Sequence, residues 1–302
     1  MARRALVTGG GGFIGSNLVR RLLEQGDDVR VLDNFSTGNR RNLEELAGDV
    51  EVYEGELRSY ERVHNAVRGV EVVFHIGALP SVPRSVQDPL TTSAVNVEGT
   101  LNVLSAARDE GVRRVVFASS SSVYGNSGDL PRRENQHLDP ISPYGVSKLA
   151  AERYCVSFSR VYDLETVALR YFNVFGPNQD PTSQYAAVVP RFIASVREAR
   201  PLPIHGDGTQ SRDFTYVANI VDANVLAADA EGVNGAVNEL ADAIGEILRL
   251  PVEKEYLQTR AGDVRDSWAD VAEARRRLGW EPSVGLEDGL RMTAEWRLTA
   301  AP

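Results

Sequence analysis

The chain has 302 residues, 42% of them hydrophobic, a formal net charge of −9 and one cysteine, Cys155. This length and apolar content suffice for one large core or two modest ones. The negative balance offers no field for nucleic acid or an anionic membrane, and a lone thiol excludes an internal disulfide framework. No apolar run approaches the roughly 20 residues that span a bilayer, and the basic run Ala2-Arg3-Arg4 precedes a strand rather than a signal segment. A cytoplasmic protein without nucleic-acid or membrane partners, and without a metal site, is expected.

Short β-branched runs alternate with amphipathic stretches through the first two-thirds. Strands are expected at Arg4 to Val7, Val29 to Leu32, Val50 to Tyr53, Val72 to His75, Val115 to Ala118 and Thr166 to Leu169. Their near-continuous apolar character is that of a parallel sheet covered on both faces, so the fold class is α/β, a doubly wound parallel sheet. Helices are expected from Asn17 to Gln25 and from Thr100 to Glu110, closed by Gly26 and Gly111 where a left-handed cap is easiest. A longer one is expected from Pro143 to about Val161, in which Cys155 reads as a buried, inert thiol. After Gly176 the chain turns irregular, with shorter helices around Pro190 to Glu198 and Val217 to Ala228. Residues 1–175 are expected to form a nucleotide-binding domain, rejoined by a segment near 205–230. Residues 176–302 supply mainly a smaller α/β substrate lobe, which shares a cleft with the carboxyl ends of the strands.

The first strand runs into Thr8-Gly9-Gly10-Gly11-Gly12-Phe13-Ile14-Gly15, with a helix expected from Ser16. Glycines at 10, 12 and 15, or at 9, 12 and 15, have the spacing that lets backbone approach a pyrophosphate at a helix N-terminus. Asp33 ends the second strand close to the expected ~20 residues downstream. A carboxylate there accepts bonds from the adenosine ribose hydroxyls and repels a 2′-phosphate, so NAD is expected rather than NADP. Glu56, after the third strand, reads either as an adenine contact or as a plain surface acid.

Tyr144 and Lys148 stand four residues apart, on one helix face a turn from each other. A phenol with pKa of about 10 is a poor base at neutral pH. The adjacent ammonium, together with a positive nicotinamide ring, is expected to favour the phenolate and bring it toward the operating pH. Alone, such a pair is common by chance. Here the strand Val115 to Ala118 also ends in Ser119-Ser120-Ser121-Ser122, which sets hydroxyl donors at a strand's carboxyl edge within reach of a reacting oxygen. For at least two of these serines a polar turn is role enough.

With these residues assembled, the chain resembles the extended short-chain dehydrogenase/reductase family, whose dinucleotide domain is a Rossmann fold, and within it the UDP-galactose and UDP-N-acetylglucosamine 4-epimerases. The likeness covers nearly the whole chain and includes His75-Ile76-Gly77-Ala78, Asn96-Val97-Glu98-Gly99-Thr100, Leu169-Arg170-Tyr171-Phe172-Asn173, Arg212-Asp213-Phe214 and Arg260-Ala261-Gly262-Asp263. The resemblance implies NAD as cofactor, a UDP-hexose as substrate, and C4 epimerisation through a transient 4-keto sugar. It also implies a homodimer joined by a four-helix interface of the helices at Asn96 to Glu110 and Pro143 to Val161. By it, Tyr144 is the general base on the sugar 4-hydroxyl, Ser120 hydrogen-bonds the same oxygen, and Lys148 also holds the nicotinamide ribose. Cofactor contacts are implied for Gly9, Gly12, Phe13, Ile14, Gly15, Asp33, Asn34, Ser36, Thr37, Gly38, Glu56, Leu57, Ile76, Gly77, Ala78, Asn96 and Tyr171. Substrate contacts are implied for Ser121, Ser122, Val188 and His205, with Asn173, Arg212 and Arg260 gripping the UDP and Asp263 on its ribose.

The resemblance further implies that the residue four after Asp263 gates an N-acetyl group, and the small Ser267 there admits it. Asn173 and Asp180 stand where glucuronate-type relatives resemble a threonine and an arginine, which weighs against a uronic substrate. The chain departs from the pattern at Ile76-Gly77-Ala78, at Glu56 where aspartate is usual, and at Val233 to Leu240, which lacks a strand and Gly-turn. The alternatives are a dehydratase or a 4-keto-sugar reductase of the same family, and, from a different class, a non-catalytic NAD-binding regulator. The serine run brings no carboxylate for dehydration, and such regulators commonly lack the tyrosine–lysine pair.

Overall fold

The computed structural model describes residues 2–180, 188–205, 207, 209–229, 254–257 and 266–299. Strands β1 (Arg4–Thr8), β2 (Asp28–Asp33), β3 (Val50–Glu54), β4 (Val72–His75), β5 (Arg114–Ser120) and β6 (Glu165–Tyr171) form one all-parallel sheet in the order β3-β2-β1-β4-β5-β6. Every strand expected from the sequence lies within one of these. The order reverses between β1 and β4, which opens a crevice beyond their carboxyl ends.

Helices α1 (Phe13–Glu24), α2 (Arg41–Glu44), α3 (Tyr60–Val67), α4 (Val82–Gln87), α5 (Pro89–Ser93), α6 (Gly99–Asp109) and α7 (Pro143–Tyr162) connect the strands, and a π-helical turn at Ala94–Glu98 joins α5 to α6. Gly26 and Gly111 follow α1 and α6 with φ of +85° and +68°, the left-handed geometry expected of them. Beyond β6 come α8 (Val188–Arg197), β7 (Leu202–His205), α9 (Val217–Asp229), β8 (Lys254–Leu257), α10 (Ala272–Leu278) and α11 (Leu286–Thr299). The parallel pairing of β7 with β8 has no counterpart in the sequence reading. Val233 to Leu240 lie outside the described residues.

Alternation along the strands divides the core in two. Ala5, Val7, Val72, Phe74, Val116, Val167 and Leu169 face α1 and α9 and continue into Val271, Trp280 and Leu290 beyond them. Leu6, Val73, Val115 and Phe117 face α3, α6 and α7 on the other side, where Cys155 is buried and its thiol is pushed up by desolvation. Helix α9 therefore packs on the sheet. Strand β3 departs from the expectation of a doubly covered strand: Glu51, Val52 and Glu54 are exposed. It is the edge strand, and charged side chains there discourage pairing with another chain. No helix among the described residues is long and apolar enough to cross a membrane.

One buried ion pair ties the sheet to α7. The Arg170 guanidinium of β6 donates from Nη2 to Glu152 Oε1 at 2.6 Å and from Nε to Oε2 at 3.1 Å, and the two side chains are 7% and 6% exposed. Ser119 Oγ donates to Glu152 Oε2 at 2.8 Å, and Arg170 Nη1 donates to the Tyr124 hydroxyl at 2.9 Å. Removing one partner strands a buried charge, which costs about 3–5 kcal/mol, whereas replacing both by apolar groups is often neutral. Urea unfolding of Glu152→Ala is expected to show a loss of that size, and the double variant Glu152→Leu/Arg170→Met a much smaller one.

Candidate active site

A cleft of about 510 Å³ opens along the carboxyl edge of the sheet. Its floor is the glycine loop. A methyl group on Gly15 would overlap the Gly9 carbonyl oxygen, and one on Gly9, whose φ is +70°, would lie 2.7 Å from Gly77 Cα. These side-chain-free positions let the loop fold onto itself, so α1 begins at Phe13, earlier than the Ser16 expected from the sequence. The N-cap of α1 is Gly12, no side chain caps its first turn and no acidic residue lies in that turn. Its amide ends suit a phosphate. Gly77 packs directly on Gly9, and a methyl group on Gly77 would lie 3.1 Å from Gly9 N, a tight contact rather than an overlap.

Asp33, at the end of β2, accepts the Gly11 N–H at Oδ2 (2.8 Å) and the Phe35 N–H at Oδ1 (2.7 Å), which fixes a carboxylate at the adenosine end. Asn34, Ser36, Thr37 and Gly38 continue that wall, and Phe13, Ile14, Leu57, Ile76 and Ala78 also line the cleft. Glu56 lines it too, but its Oε2 accepts from Arg58 Nε at 3.0 Å and Asn34 Nδ2 lies 3.5 Å from its Oε1. The uncapped helix end, the glycine floor and Asp33 together fit a dinucleotide.

At the opposite end, Ser120, Ser121 and Ser122 from the end of β5, Tyr144 and Lys148 from α7, and Tyr171 and Asn173 from the end of β6 meet around one space. Ser120 pairs across the sheet with Tyr171. The Ser120 side chain also accepts the Ser122 N–H at 3.1 Å, which ends the strand in a tight turn. Lys148 Nζ donates to the Ala118 carbonyl at 2.9 Å and lies 5.0 Å from the centre of the Phe117 ring.

Burial pushes Tyr144 above the ordinary phenol value, with a hydrogen bond to Ser120 acting in the opposite direction. Desolvation lowers Lys148 to about 8. The expectation joined this ammonium with a positive nicotinamide ring; Lys148 Nζ is engaged with a carbonyl and an aromatic face, and burial is the larger effect on the phenol. His75, fully buried at the end of β4, is lowered to about 3 by burial and then by Lys148. Its Nδ1 lies 2.7 Å from Thr8 Oγ1 and its Nε2 2.9 Å from Thr100 Oγ1. Because the Thr100 hydroxyl already donates to Asn96 O at 2.6 Å, it accepts from His75, and the Nε2–H tautomer is assigned.

Other residues singled out in the sequence lie elsewhere. Asn96 does not line the cleft; it is buried behind the wall, where Oδ1 accepts Leu79 N–H at 2.8 Å and Nδ2 donates to Leu79 O at 3.2 Å. Val188 is exposed at the start of α8 and does not line the cleft; His205 ends β7, and its side chain lies outside what the structure describes. Arg212 and Ser267 face each other in an isolated parallel bridge outside the lining. They join it through one link: Asp213 N–H donates to Ser267 O at 3.0 Å, and Asn173 Nδ2 donates to Asp213 O at 3.0 Å. These four positions sit on later loops and elements that no local spacing ties to the sheet edge. Arg260 and Asp263 lie outside the described residues. Missed by the sequence reading were Arg58, Ser81, Arg84 and Gln179, all in the lining. For Ser81 a signal existed, a serine just before Val82-Pro83, the pattern of a helix cap with proline in the first turn.

Residues 5–239 match the model of the NAD dependent epimerase/dehydratase family. The UDP-glucose 4-epimerase of Mycolicibacterium smegmatis is 39% identical, over 97% of this chain and 98% of that protein. Among solved structures, a UDP-glucose 4-epimerase from Thermotoga maritima with UDP-glucose superposes with a TM-score of 0.93 at 36% identity, covering 98% of each chain. A UDP-N-acetylglucosamine 4-epimerase from Methanobrevibacter ruminantium in complex with UDP-N-acetylmuramic acid gives 0.92 at 35% identity and 99% of each.

The histidine carries a pH signature. Its folded value near 3 lies below the unfolded 6.5, so the unfolded chain takes up a proton first and stability falls as pH drops from about 6.5 toward 3. Urea midpoints measured from pH 7.5 to pH 5 are expected to decline with a limiting slope of about 1.4 kcal/mol per pH unit for this group. His75→Gln is expected to remove that part of the slope.

Proposed function

The chain belongs to the NAD dependent epimerase/dehydratase family, and from that membership and its site we propose that it inverts C4 of a UDP-hexose, accepting UDP-glucose and UDP-galactose and also their N-acetylhexosamine forms. The observation that carries this reading is the convergence of Tyr144, Lys148 and Ser120 on the same cleft as the glycine floor and Asp33. Bound NAD supplies the hydride acceptor at C4 and, after the 4-keto sugar has turned over, the hydride donor to its other face. Tyr144 Oη takes the proton of the 4-hydroxyl as C4 is oxidised and returns it to the same oxygen on reduction. Desolvation that opposes the phenolate also makes it a stronger base once formed, while the neighbouring ammonium assists its formation. Ser120 Oγ donates to the sugar oxygen and keeps it aligned with the phenol. Asp33 holds the adenosine ribose, and the N-terminus of α1 takes the pyrophosphate.

For the N-acetyl forms the reading rests on Ser267 as a small gate. Through Asp213 it stands one step behind Asn173, on the flank of the sugar end. We also propose a homodimer through α6 and α7, supported by the exposed apolar side chains Val146, Tyr154, Val161 and Tyr162 on α7 and Leu90 on α5.

Incubation with each of the four UDP-sugars, with epimers resolved by proton NMR, is expected to show interconversion within both pairs. Tyr144→Phe is expected to lower kcat by roughly 10²–10⁴. Unchanged turnover in that variant, or none by the native chain, overturns the reading. Ser267→Tyr is expected to lose the N-acetyl pair and retain the other; equal retention of both removes the gate. Light scattering is expected to give twice the chain mass.

A further inference from the structure

We infer that Ser85, which does not line the cleft, is a positioning residue that fixes Tyr144 to the cleft wall; the inference rests on Tyr144 being the acid–base group of the proposed reaction. A helix leaves its first N–H groups without partners in the helix itself. In α7, Pro143 has none to offer, and the Gly145 N–H is taken by the capping Ser142 Oγ at 3.1 Å. The Tyr144 N–H crosses to another element and donates to Ser85 Oγ at 3.0 Å. Ser85 is fully buried, and its hydroxyl proton goes to Val82 O at 2.8 Å, which turns a lone pair toward Tyr144.

The other end of the residue is held as well. Ser147 Oγ donates to Tyr144 O at 2.8 Å and accepts from Asn96 Nδ2 at 3.0 Å, and Asn96 grips the Leu79 peptide on both sides. Leu79, Pro80, Ser81 and Arg84 form the wall of the cleft that these two links reach. That wall is itself under constraint: Ser81 has φ of +116°, rare for a residue other than glycine, and its Oγ accepts the Arg84 N–H at 3.2 Å at the start of α4. The wall, Ser85 and the Tyr144 backbone thus move as one unit. A sugar that presses on the wall sets the distance of the base from its own hydroxyl, and loss of the Ser85 link loosens that distance while leaving the binding surface in place.

Two measurements on Ser85→Ala test this. Deuterium exchange of the Tyr144 amide is expected to quicken at least about tenfold, because its N–H loses its acceptor. Since a misplacement of ~1 Å costs up to 10²-fold, kcat is expected to fall roughly 10- to 100-fold with KM within about twofold. Ser85→Cys, which fills the same space with a weak acceptor, is expected to behave likewise and serves if the alanine variant does not fold. Val112→Ala, a core truncation at the amino end of β5, provides a control with loosened packing and is expected to retain native kcat. Unchanged Tyr144 exchange in the Ser85 variants overturns the inference whatever sugar the protein uses. Faster exchange with kcat no lower than in Val112→Ala overturns the positioning role. Failure of the native chain to turn over any UDP-sugar sinks the functional reading instead, and the exchange result still decides whether the Ser85 link exists.

Discussion

Parallel pairing is the constraint from which the site follows. Six strands that point the same way bring Thr8, Asp33, His75, Ser120 and Tyr171 to a single edge, and the order reverses between β1 and β4, so the crossing chains part there and leave a crevice. Between consecutive parallel strands the chain must return to the end at which it started, so each crossover passes over a face of the sheet. The faces are therefore covered by helices, and only the edges and the ends of the strands are left to meet a ligand.

Desolvation then sets the chemistry of that edge. Tyr144 is held up, Lys148 down and His75 further down, all toward their neutral forms. Close to that edge, Arg170 and Glu152 compensate each other, and Asp33 accepts from two backbone amides. Ser119 and Arg170 each immediately precede a residue of the lining, so the ion pair anchors the strands from which Ser120 and Tyr171 project. In the proposed reaction, side chains held on this rigidly paired foundation keep reorganisation small when charge develops at a sugar oxygen.

The two ends of the cleft are built differently. The adenosine end is made by backbone, with glycines whose missing side chains allow loops to touch. The sugar end is made by side chains on three separate elements, bolted together by buried hydroxyls. This difference suits a cofactor common to a family and a substrate that varies within it.

The sequence by itself determined the six strands, the glycine floor with Asp33 opposite it, and the tyrosine–lysine pair, because each is a local matter of periodicity, spacing or steric need. It also carried the family likeness, which rests on motifs spread along the chain. Tertiary structure alone decided that β3 is an exposed edge, that Asn96 stands behind the wall rather than in the cleft, and that Lys148 spends its charge on Ala118 O. It likewise decided that Ser81, Ser85 and Arg84 belong to the surroundings of Tyr144. Those facts depend on which distant segments meet, and on how much water their meeting excludes, and neither quantity is written in the spacing of residues along one chain.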